Sequence, residues 1–241
     1  MQGNFYFIFV LIVALLNAPQ KLTAQNDSIP KKKTSLLKKA IVPTALIGSS
    51  LLITNSNFEK RLQDKIGGTA STSIDDYTRF VPLAQMYTAD VIGIESRSHW
   101  FDQTKNAAIS LLLTDLITTR LKRSIDKTRP SGANNNAFPS AHTSYAFTSA
   151  TVLYEEFKDT SPVLAHSGYA FAVTTGYLRM AKDAHWFSDV LLGAGIGIAV
   201  TKLVYHFDYL FAWNPFKKKK SIAIAPMYDG QGFGVVGVWK F

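Results

Sequence analysis

Residues 103–125 read Gln-Thr-Lys-Asn-Ala-Ala-Ile-Ser-Leu-Leu-Leu-Thr-Asp-Leu-Ile-Thr-Thr-Arg-Leu-Lys-Arg-Ser-Ile. Ala107, Ala108, Ile109, Leu111, Leu112, Leu113, Leu116, Ile117 and Leu121 recur at helical rather than strand spacing, which predicts one long helix. Arg129-Pro130 stops it, because the residue before a proline is driven out of helical geometry. Residues 131–136 hold Ser, Gly, Ala and Asn, the composition of a loop. Further helices are predicted from Pro139-Ser140 to about Phe157, from Pro162 to about Met180 and from Trp186 to about Phe207. The expected class is therefore all-α, a helical bundle. No run reaches 18 residues without a polar or charged break, so these are nearer in length to buried core helices than to membrane spans. The last helix is the best span candidate. Its Gly193, Gly195 and Gly197 would let a neighbouring helix approach closely.

Toward the N-terminus, residues 5–16 form an apolar run of signal-peptide length, with Ala24-Gln25 as a cleavage point. Met1 to Asn4 carry no Lys or Arg, so an uncleaved anchor is the alternative. The expected division is 1–25 signal peptide or anchor, 26–58 basic linker and apolar lead helix, 59–215 helical domain, and 216–241 basic run and tail. Within the second and third of these, 40–53 is apolar, 54–78 is mixed and polar with Gly67-Gly68 and a Ser/Thr cluster marking a loop, and Asp75-Asp76 opens a segment reaching Ile94. In the tail, 221–227 and 235–241 flank the turn Asp229-Gly230-Gln231-Gly232 and read as a short C-terminal β-hairpin. One hairpin cannot close a barrel, so it is expected as an edge hairpin packed on the helices.

The chain of 241 residues has no cysteine, which excludes disulfides, thiolate metal sites and a cysteine nucleophile. Its net charge of +9 suits an anionic membrane surface or a phosphorylated substrate. Lys31 to Lys33, Lys38, Lys39 and Lys217 to Lys220 flank apolar segments, where positive charge favours anionic headgroups. No nucleic-acid module is present. The sequence does not set an oligomeric state.

Three segments carry chemistry. Lys122 and Arg129 stand seven apart across a helix end, where two cations can converge on one anion, and an arginine fork matches phosphate oxygens in pairs. Pro139-Ser140-Ala141-His142 reads as a helix start with Ser140 as N-cap, offering free N–H groups to an anion and His142 to a leaving oxygen. His185 and Asp189, four apart at the next helix start, would share one face, the carboxylate fixing the imidazole tautomer. Arg179 adds a third cation. Three cations, a helix N-terminus and two histidines suit phosphoryl transfer, which needs positioning and charge stabilisation.

These segments resemble the three motifs of the type 2 phosphatidic acid phosphatase family, which is related to vanadium haloperoxidases and bacterial non-specific acid phosphatases. The pattern is Lys, six residues, Arg-Pro; then Pro-Ser-Gly-His; then Ser-Arg, five residues, His, three residues, Asp. Lys122, Arg129, Pro130, Pro139, Ser140, His142, Arg179, His185 and Asp189 fall on it, and the resemblance covers roughly residues 75–210. Ala141 replaces the usual Gly, and Leu178 the usual Ser or Gly before the arginine.

The resemblance implies a helical bundle of the acid phosphatase and haloperoxidase type that acts as a phosphatase without metal or cofactor. His185 would attack phosphorus, Asp189 would orient it, and His142 would protonate the leaving oxygen and then activate water. Lys122, Arg129, Arg179 and the N–H groups at Ser140 and Ala141 would bind the phosphate. A phosphorylated lipid is the expected substrate, hydrolysed at an anionic membrane surface, with the exported chain's active site facing the periplasm or cell exterior. The same residues would serve a vanadate-dependent haloperoxidase, and the substitutions at 141 and 178 would fit a non-enzymatic membrane-associated protein with a decayed site. His99, His166 and His206 match no motif and read as structural.

Overall fold

The computed structural model describes residues 36–216 together with the backbone of two strands at 222–228 and 233–239. The signal or anchor segment at 1–25, the Lys31 to Lys33 cluster and the Lys217 to Lys220 run lie outside the described residues. Among the described residues the helices are α1 (Leu36–Ile53), α2 (Asn57–Ile66), α3 (Asp75–Thr78), α4 (Val81–Val91), α5 (Trp100–Ser124), α6 (Ala141–Phe157), α7 (Pro162–Ala181) and α8 (Phe187–His206). A 3-10 turn, Asp208–Phe211, follows α8. Strands β1 (Ile222–Tyr228) and β2 (Phe233–Trp239) pair antiparallel, with Ile222 opposite Trp239 and Tyr228 opposite Phe233, which is the expected hairpin. Its packing on the helices would rest on side chains outside the described residues.

Helix α6 is the hub. It packs against α4, α5, α7 and α8, while α1 lies along the outer side of α8. Close approach between α6 and α8 depends on glycine. A Cβ on Gly193 would stand 2.7 Å from the Ser140 carbonyl oxygen, and one on Gly197 would stand 2.5 Å from the Ser144 carbonyl oxygen. Gly195 faces the other way, where a Cβ would come within 2.6 Å of Ile47 on α1.

Residues 57–66, in the stretch read only as mixed and polar, form a helix because Ser56 caps it: the Glu59 amide donates to Ser56 Oγ at 3.1 Å. The boundary expected at 58/59 consequently falls inside α2. The apolar lead stretch is helix α1, and Ser50 Oγ donates to the Ser188 carbonyl at 2.8 Å, joining the end of α1 to the start of α8.

Helix α5 is turned inside out relative to a water-soluble helix. Its buried face is Gln103, Asn106, Ala107, Ser110, Thr114 and Thr118, and the Thr114 hydroxyl meets that of Thr148 on α6 at 2.9 Å. Its leucines point outward, with Leu112 70% and Leu116 52% exposed. Helix α8 is long and apolar enough to cross a membrane, although most of it is buried in the bundle.

The two ends of the bundle differ. At one end lie the start of α6, the end of α7 and the start of α8. At the other, Arg97 N–H donates to the Glu156 carbonyl near the end of α6. There Trp100 and Phe101 stack with Phe216 and Trp213, the ring centres of Trp100 and Phe216 being 5.0 Å apart. The non-motif histidines have structural contacts. His99 caps α5 by accepting from the Phe101 amide, His166 bonds the Pro162 carbonyl on the face of α7, and His206 packs on Phe207.

Candidate active site

Helix α5 ends at Ser124, and the chain from 125 to 137 doubles back on itself. Lys127 N–H donates to the Asn135 carbonyl, Ala137 N–H to the Lys127 carbonyl, and Arg129 N–H to the Asn134 carbonyl. This folded loop carries Arg129 back toward Lys122. Lys122 Nζ donates to the Asn136 carbonyl at 2.7 Å. Burial pushes the Lys122 ammonium down to about 8, and the positive charges of Arg129 and Arg179 push the same way. Burial and Arg179 likewise lower Arg129. Three cations therefore crowd one another, and the Nε–H groups of both Arg129 and Arg179 are buried without a partner. A cluster of cations with spare donors is stabilised by an anion placed among them.

Arg179 lies within the last turn of α7, and it is held by a residue outside the motifs. Its Nη1 donates to Asp75 Oδ2 at 2.6 Å, while Lys182 Nζ donates to Asp75 Oδ1 at 2.8 Å. Asp75 is fully buried.

His185 precedes α8 by two residues and is 2% exposed. Its Nδ1–H donates to the Ala137 carbonyl at 2.7 Å, while Asp189 Oδ2 lies farther off, at 3.5 Å. The expected orienting carboxylate is thus a second neighbour, and a backbone carbonyl fixes the ring. The reason is that Asp189 is already engaged. Its Oδ2 accepts the Trp186 amide at 2.7 Å as part of a capping box, and its Oδ1 accepts Lys127 Nζ at 2.8 Å. With the proton fixed on Nδ1, His185 Nε2 carries the free lone pair. Burial pushes the His185 imidazolium down to about 4, with Lys122 and Arg179 adding to the effect and Asp189 opposing it. The ring is accordingly neutral through the physiological range.

Lys127 is the buried pivot beneath this histidine. Besides Asp189, its Nζ donates to Ser188 Oγ at 2.6 Å and lies 3.4 Å from Glu59 Oε1, and Glu59 also accepts the Ser188 amide at 2.9 Å. Helices α2 and α8 and the 125–137 loop are locked together through these three charges.

Ser140 departs from its expected role. It sits at the N-cap position of α6, but its hydroxyl accepts from Thr143 Oγ1 at 2.9 Å and its amide donates to the Asp189 carbonyl at 3.0 Å. The amide of Ser140 is spent on fixing α8. The first intrahelical bond of α6 runs from the Ser144 amide to the Ser140 carbonyl. The N–H groups of Ala141 and His142 are therefore the helix-terminal donors that can meet an anion. Ala141 is the first residue of α6, and its φ is not positive. The methyl group in place of the family's glycine is accommodated without backbone strain.

His142 Nε2 bonds Asp76 Oδ1 at 2.7 Å. Asp75, Asp76 and His142 place donor atoms within 4.8 Å of one another, as a cation site would. Both oxygens of Asp75 are taken by Arg179 and Lys182, however, and the Asp76–His142 bond uses the remaining facing atoms. A cation would have to displace these bonds.

The structure thus brings Lys122, Arg129, Arg179, His185 and Asp189 into mutual electrostatic reach and sets His142 beside Arg179. Sequence reasoning missed Glu59, Asp75, Asp76, Lys127 and the Ala137 carbonyl. The Ser56-x-x-Glu59 pattern, a capping signature, was the available signal for α2.

The chain is similar to several known proteins. Residues 103–213 match the model of the PAP2 superfamily. The chain is 34% identical over 172 residues to the lipid A 1-phosphatase of Porphyromonas gingivalis, an alignment covering 70% of this chain and 39% of that protein. It therefore spans about two fifths of the length of the curated relative it matches. The crystal structure of Aquifex aeolicus LpxE superposes with a TM-score of 0.50 at 19% identity, covering 63% of this chain and 97% of that one, and so shares the fold. A transmembrane PAP2-type phosphatidylglycerolphosphate phosphatase from Bacillus subtilis gives a TM-score of 0.43 at 20% identity, covering 88% and 96%.

Proposed function

The chain belongs to the PAP2 superfamily, the type 2 phosphatidic acid phosphatases, and from that premise we propose that it is a phosphatase that hydrolyses phosphate monoesters or pyrophosphates of membrane lipids through a phosphohistidine. One observation carries the reading. A buried neutral imidazole, its Nδ1 tied to Ala137, stands beside three crowded cations with two unpartnered Nε–H donors. His185 Nε2 forms a bond to phosphorus as the bond to the leaving oxygen breaks, and His142 gives that oxygen its proton. His142 then takes a proton from water, whose oxygen bonds phosphorus as the phosphorus–nitrogen bond breaks, releasing phosphate and neutral His185. Lys122, Arg129, Arg179 and the first N–H groups of α6 hold the phosphoryl oxygens. They supply the charge that a metal ion provides elsewhere.

The lipid part of the proposal rests on the outward leucines of α5, whose polar face is the buried one. An outer apolar surface of this kind fits an apolar surrounding. Lipid A phosphate is the foremost substrate candidate, since the P. gingivalis relative bears that name. If residues 5–16 direct export, the site works on the periplasmic or outer side of the membrane.

The test is phosphate release from a panel of lipid and soluble phosphates in the presence of a chelator. Release from lipid phosphates that survives the chelator is expected. Strong hydrolysis of small soluble esters with none of lipid ones would overturn the lipid assignment, and release abolished by the chelator would overturn the metal-free mechanism. A depressed histidine is protonated only as pH falls through its own pKa. The acid limb due to His185 should consequently lie near pH 4, not near the 6.5 of a free imidazole. A limb at 6.5 that is removed by substituting His185 would show that the ring is not held neutral.

A further inference from the structure

Asp76 stands outside all three motifs and outside the 103–213 family match, yet its carboxylate is the partner of the proposed leaving-group acid. Its neighbour Asp75 is spent on Arg179 and Lys182. Two consecutive residues of one short helix therefore serve the two sides of the site, one the phosphate-binding arm and the other the histidine. Asp76 is itself anchored only loosely: Arg79 lies 3.9 Å away, and the side chain is about half exposed. The 2.7 Å bond to His142 Nε2 is its short contact.

We infer that Asp76 is a positioning residue for leaving-group protonation: by accepting the Nε2–H of His142 it fixes the ring and keeps the imidazolium available, so that Nδ1–H faces the departing oxygen. This rests on the phosphatase reading above. The surroundings explain why the carboxylate is needed. Arg79 from the 75–79 segment and Arg179 from α7 both oppose a positive His142, as does burial, while Asp76 and Asp75 favour it. From α5, Asp115 accepts the Tyr145 hydroxyl one turn along α6. Asp189 of α8 is held by Lys127. Asp76 is thus the carboxylate in hydrogen-bond contact with this ring.

The inference is tested by leaving-group dependence, using the full chain in detergent micelles with Asp76→Asn and Asp76→Glu. Phosphatidic acid must expel an alkoxide that needs a proton. 4-Nitrophenyl phosphate expels a phenolate that leaves without one. Because general acid catalysis contributes about 10²–10⁴-fold, Asp76→Asn should cut kcat/KM, which reports the steps up to leaving-group departure, by on the order of 10²-fold for phosphatidic acid and by only about threefold or less for 4-nitrophenyl phosphate. The basic limb of the phosphatidic acid profile should move to lower pH, and Asp76→Glu should recover part of the rate. His142→Ala should show the same split in kcat/KM, and should lower kcat on both substrates because His142 also activates the water that hydrolyses the common phosphoenzyme. A similar loss of kcat/KM on both substrates, an unchanged kcat/KM on phosphatidic acid, or a gain on either would overturn the assignment of Asp76 alone. A wild-type protein inactive on every phosphate tried would overturn the phosphatase reading, and this inference with it.

Discussion

Replacing His185 with glutamine should abolish phosphate release, by on the order of 10⁴-fold or more, as loss of a nucleophile does in other covalent mechanisms. The side chain is almost fully enclosed, its Nδ1 is committed to Ala137, and Lys122 and Arg179 lie close enough to oppose its protonation. Glutamine can still donate to the Ala137 carbonyl, so the fold should survive and the loss should appear in turnover. In the wild type, rapid acid-free quenching with radiolabelled substrate should trap a phosphoenzyme that is stable in base and labile in acid, the signature of a phosphorus–nitrogen bond. The glutamine variant should trap none. A variant that keeps most of its activity, or a trapped label that resists acid, would place the nucleophile elsewhere.

The second large effect is on stability. Lys127→Met should destabilise the protein by about 3–5 kcal/mol, because removing one member of a buried ion pair leaves its partners uncompensated. Here two carboxylates, Glu59 and Asp189, would be stranded, both essentially without solvent contact. The measurement is the unfolding midpoint in detergent, with the double variant Glu59→Gln, Lys127→Met completing the cycle. The double variant should cost less than the sum of the singles, since removing both charges spares the penalty of an orphan. Additive costs, or a Lys127→Met protein as stable as the parent, would show that the 2.8 Å contact to Asp189 carries no weight. Activity should fall as well, for Asp189 then loses the bond that holds its Oδ1 beneath His185.

Much of this was legible in the sequence. The helices at 100–124, 141–157, 162–181 and 187–206 lie within a few residues of expectation, because their periodicity is strong and proline or loop residues bound them. Most of the motif residues sit at helix ends, which local sequence marks well, while Arg129 reaches the site on the folded 125–137 loop. What was hidden is tertiary. Lys127 looks like any cation in a basic run until the 125–137 loop folds back and buries it. Asp75 and Asp76 resemble ordinary acids at a helix start, and their division between Arg179 and His142 depends on where α7 and α6 end in space. The Ala137 carbonyl has no side-chain signature at all. The orientation of α5 was likewise hidden. Periodicity locates an apolar stripe but does not say whether that stripe faces the neighbouring helices or away from them.

The glycines of α8 act as a spacer gauge for the chemistry. Gly193 and Gly197 set how near the helix that follows His185, the proposed nucleophile, comes to the start of α6, whose first amides are proposed to bind phosphate. The working parts of the site are few and hang from these two helices, so their separation is also the separation of attacking atom and anion cradle. Divergence can therefore proceed at very different rates along one chain. The outward leucines of α5 can exchange for any apolar side chain and leave the site untouched. A single methyl group at Gly197 would pry the two helices apart and detune every bond-making distance at once, with no catalytic residue altered.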